Sequence, residues 1–456
     1  MTAELDDDRR TPPASAPGPL DRLLRVFTDV RPGESGTVLL LFLNLFLLFT
    51  GYYIIKTARE PLILVSGGAE LRAYASAVMA VVLMGFVPLY SWFSSRVDRL
   101  KMIFGVILFF VVNIELFYLG AHAQVPKLGF LFFVWVGIYN NAMVALFWSF
   151  ANDLYRREAG ERLFPVIFLG ATLGAPVGAK IAEVLFDLKV KPFDMMQISV
   201  GLLIVNLALY WVVNRREAAR PGQAQASASA LAAGPGGFGL VFRSRYLTLF
   251  AALILLLNLV NTTGEYILSR TLVAAARQAA AVDPSVDVTA FIGSFSGSYQ
   301  FYASVATAIL QAFVVSRIVK YFGLAGALLA LPLVAFGSYT LMAAGAGLAL
   351  IRWAKVAENA TDYSLTNTGK QLVWLPTTRE EKYKAKQAVD TFFVRFGDLV
   401  QAAVVFVGTA WLGFGARAFA VTNLGFIAVW LVVALALLRE HRRIVQRQEE
   451  TAKAVA

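Results

Sequence analysis

The chain has 456 residues, of which 58% are hydrophobic and only 16% are charged, and its formal net charge is +11. Soluble domains carry about 25% charged residues, so this composition indicates a membrane protein rather than a set of soluble domains. The lack of cysteine excludes disulfides, thiol catalysis and cysteine-ligated metal centres. His122 and His441 are the only histidines, which argues against a histidine-rich metal site, and we expect no cofactor.

Residues 1–36 begin acidic and continue through TPPASAPGP without an apolar core. A cleavable signal peptide needs a basic start and a short apolar region, and neither is present. We therefore predict that this segment is a cytoplasmic tail.

Apolar runs of about 20 residues, the length that crosses a bilayer as a helix, recur along the rest of the chain. They predict an all-α polytopic membrane protein with twelve transmembrane helices. The predicted spans are 37–56, 72–93, 102–121, 128–151, 163–186, 195–213, 246–268, 294–315, 322–347, 351–368, 388–411 and 418–438. The tenth is the least apolar.

Lys and Arg concentrate in alternate short loops, of which RVDRLK (96–101), YRREAGER (155–162) and TREEKYKAK (378–386) are the clearest. Because basic loops stay in the cytoplasm, this bias predicts that both termini are cytoplasmic and that the protein lies in the cell (inner) membrane. The net positive charge is then explained by the membrane topology and by contact with anionic lipids. This distribution of Lys and Arg argues against nucleic-acid binding.

Residues 214–245 are rich in Gly, Ala and Ser and are predicted to be a flexible cytoplasmic linker. The linker divides the chain into two six-helix halves, 37–213 and 246–438, followed by a cytoplasmic tail at 439–456. The halves also look like repeats, because a charged loop follows WSFANDL in the first and YSLTNTG in the second. This is the plan of the major facilitator transporters, in which substrate binds in a central cavity between halves that rock for alternating access.

Span one ends in a charged run in which Lys56, Arg59 and Glu60 share one helical face. One interpretation is that both cations extend to the membrane interface while Glu60 pairs with them. The other is an anion site, since Arg offers two-point contact to phosphate. Pro61 predicts a break in the helix at this point.

Span four carries Asn141, Trp148 and Asn152 on roughly one face. Helix-to-helix hydrogen bonds explain the asparagines, and a surface that stacks and hydrogen-bonds a base or sugar is the alternative. In span five, fourfold spacing of Gly170, Gly174 and Gly178 predicts close helix packing. Lys180 lies beyond these glycines, where it pairs locally or lines the cavity.

Three further spans carry ionisable residues at helical spacing. In span seven, Glu265 ends a polar stripe that begins at Asn258 and Asn261, and it is a candidate gate or proton-coupling carboxylate or, alternatively, a buried partner for a cation. Span ten carries Lys355, Glu358 or Asn359, Asp362, Thr366 and Lys370. Span eleven carries Asp390, Arg395 and Asp398, and a structural ion pair is as plausible there as a substrate contact.

Three sequence blocks resemble the ATP/ADP translocases of plastids and obligate intracellular bacteria. They are KTAREPLILVSGGAE, WSFAND followed by EAGERLFPVIF, and DYSLTNTGKQLVWLPTTREEKYKAKQAVDTFFVRFGD. The resemblance implies a major-facilitator-like fold and nucleotide transport, with ATP exchanged for ADP in the best-known members. By position, Arg59 and Glu60 match the family's basic–acidic pair, Lys370 matches its lysine after span ten, and Asp390 and Arg395 match polar positions of span eleven.

The chain departs from that family at Thr366, Asn367 and Gln371, and Asp398 stands where a lysine is expected. The resemblance with these departures implies a divergent bacterial relative that holds an ATP-like tetra-anion less well and whose substrate is a less charged nucleotide or another metabolite.

We thus predict a secondary transporter, not an enzyme, for nucleotides or related phosphorylated anions, working as a monomer by exchange. The alternative is a proton-coupled transporter of another small molecule such as a drug, peptide, lipid or sugar-phosphate. The candidate substrate-binding residues are Lys56, Arg59, Glu60, Asn141, Trp148, Asn152, Lys180, Lys355, Asp362, Lys370, Asp390 and Arg395, and the candidate coupling or gating residues are Glu265, Glu358 and Asp398.

Overall fold

A computed structural model describes residues 28, 31, 34–94, 96–155, 157–218, 237–378 and 380–455. The segment 34–218 is called the N-terminal region below, and 237–455 the C-terminal region. The N-terminal region consists of helices α1 (Ser35–Ser94), α2 (Arg99–His122), α3 (Leu128–Leu154), α4 (Arg157–Asp187) and α5 (Pro192–Ala218).

The C-terminal region combines α-helices with five short π-helical segments. Its α-helices are α6 (Gly237–Arg243), α7 (Arg245–Val282), α8 (Val288–Ile309), α9 (Val315–Ala343), α10 (Leu348–Thr361), α11 (Asn367–Val373), α12 (Val394–Phe406) and α13 (Ala416–Val455). The π-helical segments are Leu310–Val314, Asp362–Thr366, Glu381–Ala385, Ala388–Phe393 and Val407–Trp411.

Helix α1 contains the first two predicted spans as two arms joined at a sharp kink. The kink lies at Gly67 and Gly68, and Gly68 has φ of +70°, a left-handed conformation that glycine adopts without strain. Pro61 lies inside the first arm, and the helix continues past it to Gly67. The predicted break at Pro61 is therefore wrong, and the chain turns only where glycine permits it.

Nine helices of the described chain are long and apolar enough to cross a membrane. Two of them are 56 residues long, Ser35–Tyr90 and Val288–Ala343, and each is divided by a glycine kink. The tenth predicted span is not among the nine, because α10 is short and polar. The structure thus shows an all-helical, multi-pass membrane protein, and the count of twelve stays a prediction.

Parts of the predicted tails, linker and loops are helical, and other parts lie outside the described residues. Most of segment 1–36 and residues 219–236 of the predicted linker lie outside the described residues. The linker's end forms α6, and α13 continues through the predicted tail to Val455. The predicted loop TREEKYKAK is helical from Glu381 to Ala385.

The glycines of α4 pack it against the first arm of α1, as their spacing predicted. A Cβ atom on Gly170, Gly174 or Gly178 would collide with the main-chain carbonyl of Phe42, Phe46 or Thr50, respectively. The two backbones approach this closely because glycine has no side chain, and small residues allow the same approach between membrane helices generally. This contact fixes the arm of α1 that carries Lys56 and Arg59.

The two regions meet through an apolar cluster close to the kink of α1. Ile63, Leu64 and Phe133 of the N-terminal region pack there with Leu272 and Ile292 of the C-terminal region. Each region also has a larger core, and the core of the C-terminal region includes Ala69 and Ala73 of α1. The apolar seam brings the polar faces of α1, α7, α8, α10 and α12 together beside it.

Candidate substrate-binding cavity

A cavity of about 250 Å³ lies between the two regions, next to the apolar seam. Both arms of α1 and Phe133 of α3 line it from one side, and α7, α8, α10 and α12 line it from the other. Its polar lining comprises Lys56, Arg59, Glu60, Arg72, Ser76, Asn258, Asn261, Thr262, Glu265, Tyr266, Gln300, Asn359, Tyr363, Arg395, Asp398 and Gln401. Seven of these are charged, so the cavity is an ionic site buried between membrane helices.

On the N-terminal side, one carboxylate holds two arginines. Glu60 accepts hydrogen bonds from Arg59 at 2.9 Å and from Arg72 at 2.7 Å. Arg59 also lies over the ring of Phe133, with 4.1 Å between the guanidinium carbon and the ring centroid. The turn at Gly67 and Gly68 makes this possible, because it folds the second arm of α1 back so that Arg72 reaches Glu60.

A second carboxylate connects this group to the C-terminal region. Arg72 lies 3.5 Å from Glu265 of α7, so its guanidinium bridges carboxylates of both regions. Glu265 accepts a hydrogen bond from the Tyr299 hydroxyl at 2.8 Å, and Asn359 donates to that hydroxyl at 2.6 Å. Glu265 is thus paired with a cation from the other region, and its role as a gate or proton-coupling carboxylate stays a prediction.

Behind Glu265 lies a fully buried ion pair. Lys355 and Glu358, one turn apart on α10, are joined by a 2.8 Å contact, and their side chains are 0% and 3% exposed. The Lys355 amine also donates to the Asn261 side chain at 2.9 Å and lies 3.9 Å from Glu265. The Tyr339 hydroxyl contacts Glu358 as well. Such a pair tolerates burial because each charge has a partner and further hydrogen bonds.

Helix α12 carries a separate pair. Arg395 and Asp398 lie 3.6 Å apart, and Asn258 of α7 donates to Asp398 at 2.8 Å. Asn258 also donates to the main-chain carbonyl of Val394, so α7 and α12 are joined at this level. Asp398 therefore neutralises the arginine beside it.

Lys56 is the lining cation that has no carboxylate partner among the described residues. Its amine donates to the Gln300 side chain of α8 at 3.2 Å and lies 4.9 Å from the centroid of the Tyr53 ring. This hydrogen bond is a second contact between the two regions. A cation held by a neutral amide keeps its charge available to an incoming anion.

Two predicted residues of span ten are turned away from the cavity. Lys370 lies 3.6 Å from Asp362, and neither lines the cavity, whereas Asn359 and Tyr363 do. For Lys370 the physical reason is the π-helical segment Asp362–Thr366, whose turn contains an extra residue and so rotates the side chains that follow it. The stripe predicted from Lys355 to Lys370 assumed an uninterrupted α-helix. Asp390 is exposed and also lies outside the lining.

The predicted residues of spans four and five also lie elsewhere. Asn141 donates to the carbonyl of Gly137 one turn earlier in its own helix. Trp148 and Asn152 line a different, shallower groove with Phe164 and Phe168 on the flank of the N-terminal region. Lys180 is half exposed and pairs with Glu183 at 3.0 Å.

The sequence interpretation missed Arg72, Tyr299, Gln300 and Tyr363. Arg72 follows the double glycine Gly67–Gly68. A turn predicted at these glycines would have placed Arg72 opposite Glu60. Tyr299 and Gln300 sit in helix α8, which carries no charged residue to draw attention. Among the described residues, no group of three or more His, Asp or Glu side chains is arranged to hold a metal ion.

Comparisons with known proteins agree with this architecture. A family model described as TLC ATP/ADP transporter matches residues 118–344. ADP,ATP carrier protein 1 of Chlamydia trachomatis is 24% identical over 93% of this chain and 92% of its own length. ADP,ATP carrier protein 2, chloroplastic, of Arabidopsis thaliana is 22% identical over 89% of this chain and 75% of its own.

Solved transporter structures share the fold. A variant of the nucleoside transporter NupG superimposes with a TM-score of 0.64 at 13% identity, covering 88% of this chain and 99% of its own. A bacterial homologue of the iron transporter ferroportin in an inward-facing state gives 0.61 at 13% identity, covering 88% and 98%. The predicted resemblance is confirmed: the chain is similar in sequence to ADP,ATP carriers over most of its length, and it shares its fold with solved membrane transporters.

Proposed function

We propose that this protein is a secondary transporter that moves nucleotides or related phosphorylated anions across the membrane by exchange. The observation that carries the proposal is the cavity between the two regions, which four cations line from both sides. The relatives that match most of the chain are named ADP,ATP carriers, which supports a nucleotide as the substrate.

The geometry suits alternating access. Polar contacts join the regions at the cavity, among them Arg72 with Glu265, Lys56 with Gln300 and Tyr266 with Glu70. Rocking of one region against the other breaks and remakes such contacts without disturbing the core of either region. A bound anion between Lys56 and its neighbours interacts with both regions at once, so it alters the balance between the two access states.

The proposal includes the topology predicted from the sequence. Twelve spans form two six-helix halves, with 214–245 as a cytoplasmic linker and both termini in the cytoplasm of a cell whose inner membrane holds the protein. The kink in α1 and the kink at Gly323 support this count, because each divides a helical stretch of 56 residues, Ser35–Tyr90 or Val288–Ala343, into two spans. The proposed transporter works as a monomer.

Counterflow tests the function. Purified protein in liposomes preloaded with unlabelled AMP, ADP or ATP is mixed with a trace of the labelled nucleotide outside. We expect transient, saturable accumulation that depends on internal nucleotide, with protein-free liposomes and liposomes preloaded with glucose as controls. Flux that is equal in all three preparations for all three nucleotides would contradict nucleotide exchange.

A proton-coupled transporter of another small molecule is the second candidate. It is favoured by one observation, the two carboxylates Glu265 and Glu358 on either side of Lys355 in the membrane interior. Intramembrane carboxylates of this kind form proton relays in many transporters. Uptake driven by an imposed pH gradient in liposomes without internal nucleotide would support this candidate over exchange.

A further inference from the structure

We propose that Lys56 is the anion anchor of the cavity and that the cavity selects substrates carrying a single phosphate group, such as nucleoside monophosphates, over nucleoside triphosphates. The inference rests on the proposed function and names its substrate class. The inference rests on how the charged side chains of the cavity pair with one another, because one positive charge has no carboxylate partner.

The first step is the charge balance of the lining. Within the described part of the chain, four cations and three carboxylates face the cavity. Arg59 and Arg72 share Glu60, Arg72 also meets Glu265, and Arg395 meets Asp398. The Lys355–Glu358 pair behind the wall adds no net charge. The cavity therefore carries a net charge of +1.

The second step is the setting of Lys56. Its amine reaches only a neutral acceptor, Gln300, and stands beside the Tyr53 ring. The amide of Gln300 has both an acceptor and a donor end, so a rotation replaces its oxygen with an NH₂ group when an anion arrives. Tyr363, which lines the same cavity and is 60% exposed, offers a free ring for a base. Lys56, Gln300 and Tyr363 together make a site for a phosphate with an aromatic group attached.

The third step is the cost of additional phosphates. A phosphate monoester carries about −1.5 to −2 charges at neutral pH, and the surplus charge of this cavity offsets about one of them. Each further phosphate brings charge into a membrane interior where unmatched charge is expensive. A triphosphate would have to displace Glu60 or Asp398 from its arginine and leave that carboxylate buried without a partner. The cavity is also smaller than the ~300–1,000 Å³ of usual small-molecule sites.

A charge series tests the inference. Binding of AMP, ADP, ATP and inorganic phosphate to the purified protein is measured calorimetrically at constant ionic strength for the wild type, Lys56→Gln, Gln300→Glu and Asp398→Asn. Lys320→Gln, which removes an exposed lysine outside the cavity, is the matched control. Gln300→Glu neutralises Lys56 without removing it, so it keeps the test valid if Lys56→Gln fails to fold.

We expect the wild type and the control to bind AMP more tightly than ATP. Lys56→Gln and Gln300→Glu should weaken AMP binding by about 10- to 100-fold, the effect of losing a charge-assisted contact. Asp398→Asn removes one negative charge from the cavity, which raises its net charge by one, and should improve ATP binding relative to AMP.

ATP binding as tight as AMP binding in the wild type would overturn the inference and leave nucleotide transport standing. Unchanged AMP affinity in both Lys56→Gln and Gln300→Glu would remove Lys56 as the anchor. No binding of any nucleotide, together with no counterflow, would overturn the proposed function itself. Binding of inorganic phosphate alone would reject a nucleotide as the cargo while supporting the anchor.

Discussion

The two regions of the molecule build opposite sides of one cavity by different means. The helices of the described N-terminal region are all α-helices, and glycines hold α4 tightly against α1. Its charged lining residues all lie on α1. The C-terminal region contains all five π-helical segments of the described chain and lines the cavity from α7, α8, α10 and α12.

The N-terminal region therefore forms a rigid wall of the cavity, and the C-terminal region forms an adjustable one. Close backbone contacts such as those of Gly174 leave little freedom, because protein interiors respond to small volume changes with strain. A π-helical turn departs from the regular hydrogen-bond ladder and often marks a hinge or functional position. We infer that the C-terminal wall changes shape during transport while α1 presents Lys56 and Arg59 in a constant position.

The largest effect is expected from the buried ion pair of the C-terminal wall. Lys355→Met leaves Glu358 buried without its cation and should lower the free energy of unfolding by about 3–5 kcal/mol. The double variant Lys355→Met/Glu358→Leu removes both charges and should recover much of that loss. Denaturant unfolding in detergent measures both, and equal stability of the single and double variants would contradict the pairing.

A smaller effect is expected where the two walls meet. Arg72→Gln removes the guanidinium that joins Glu60 to Glu265, a charge-assisted contact worth about 1.5–3 kcal/mol. The natural chain has no cysteine, so Ser296→Cys, at a 6% exposed position of α8 near this bridge, provides a unique probe. Maleimide labelling of that probe should accelerate by about 10- to 100-fold in the Arg72→Gln background.

The control for this experiment is Arg277→Gln, which removes an exposed arginine of α7. Labelling should be as slow in that background as in the parent. If Arg72→Gln also leaves the rate unchanged, the bridge does not hold the regions together.

The rigid wall can be tested with single methyl groups. Gly174→Ala places its Cβ against the carbonyl of Phe46 and should destabilise the protein by about 1–3 kcal/mol through overpacking. Gly201→Ala in α5 meets nothing within 4 Å and should stabilise by up to about 1 kcal/mol through helix propensity. Thermal unfolding in detergent compares the two, and shifts of the same sign would argue against close packing of α4 on α1.

The smallest effect is expected in backbone dynamics. Amide hydrogen exchange should be faster in the π-helical segment Asp362–Thr366 than in the regular α-helical stretch 142–146 of α3, because the hydrogen-bond ladder of the π-helical segment is irregular. Exchange followed by mass spectrometry resolves both segments. Equal protection would mean that the two walls do not differ in stiffness.

Much of the cavity could be predicted from local spacing. Lys56, Arg59 and Glu60 share a helical face, and so do Asn258, Asn261 and Glu265, and the structure places both sets in the lining. Spacing is informative here because these stretches are regular α-helices. It failed for Lys370, where the π-helical segment changes the period, and for Trp148 and Asn152, whose polar stripe faces another groove.

The amino-acid sequence by itself determined that the protein is a multi-pass membrane protein, which families it resembles, and that ionisable residues lie within its spans. Hydrophobic runs and motif blocks are local properties, so they are legible without a structure. Only the tertiary structure decided which charges neutralise one another. Coulomb energy depends on distance in space, and the partners Arg72 and Glu265 come from different regions of the chain. The packing of the helices determines that pairing, and it also leaves the positive charge of Lys56 without a carboxylate partner among the described residues.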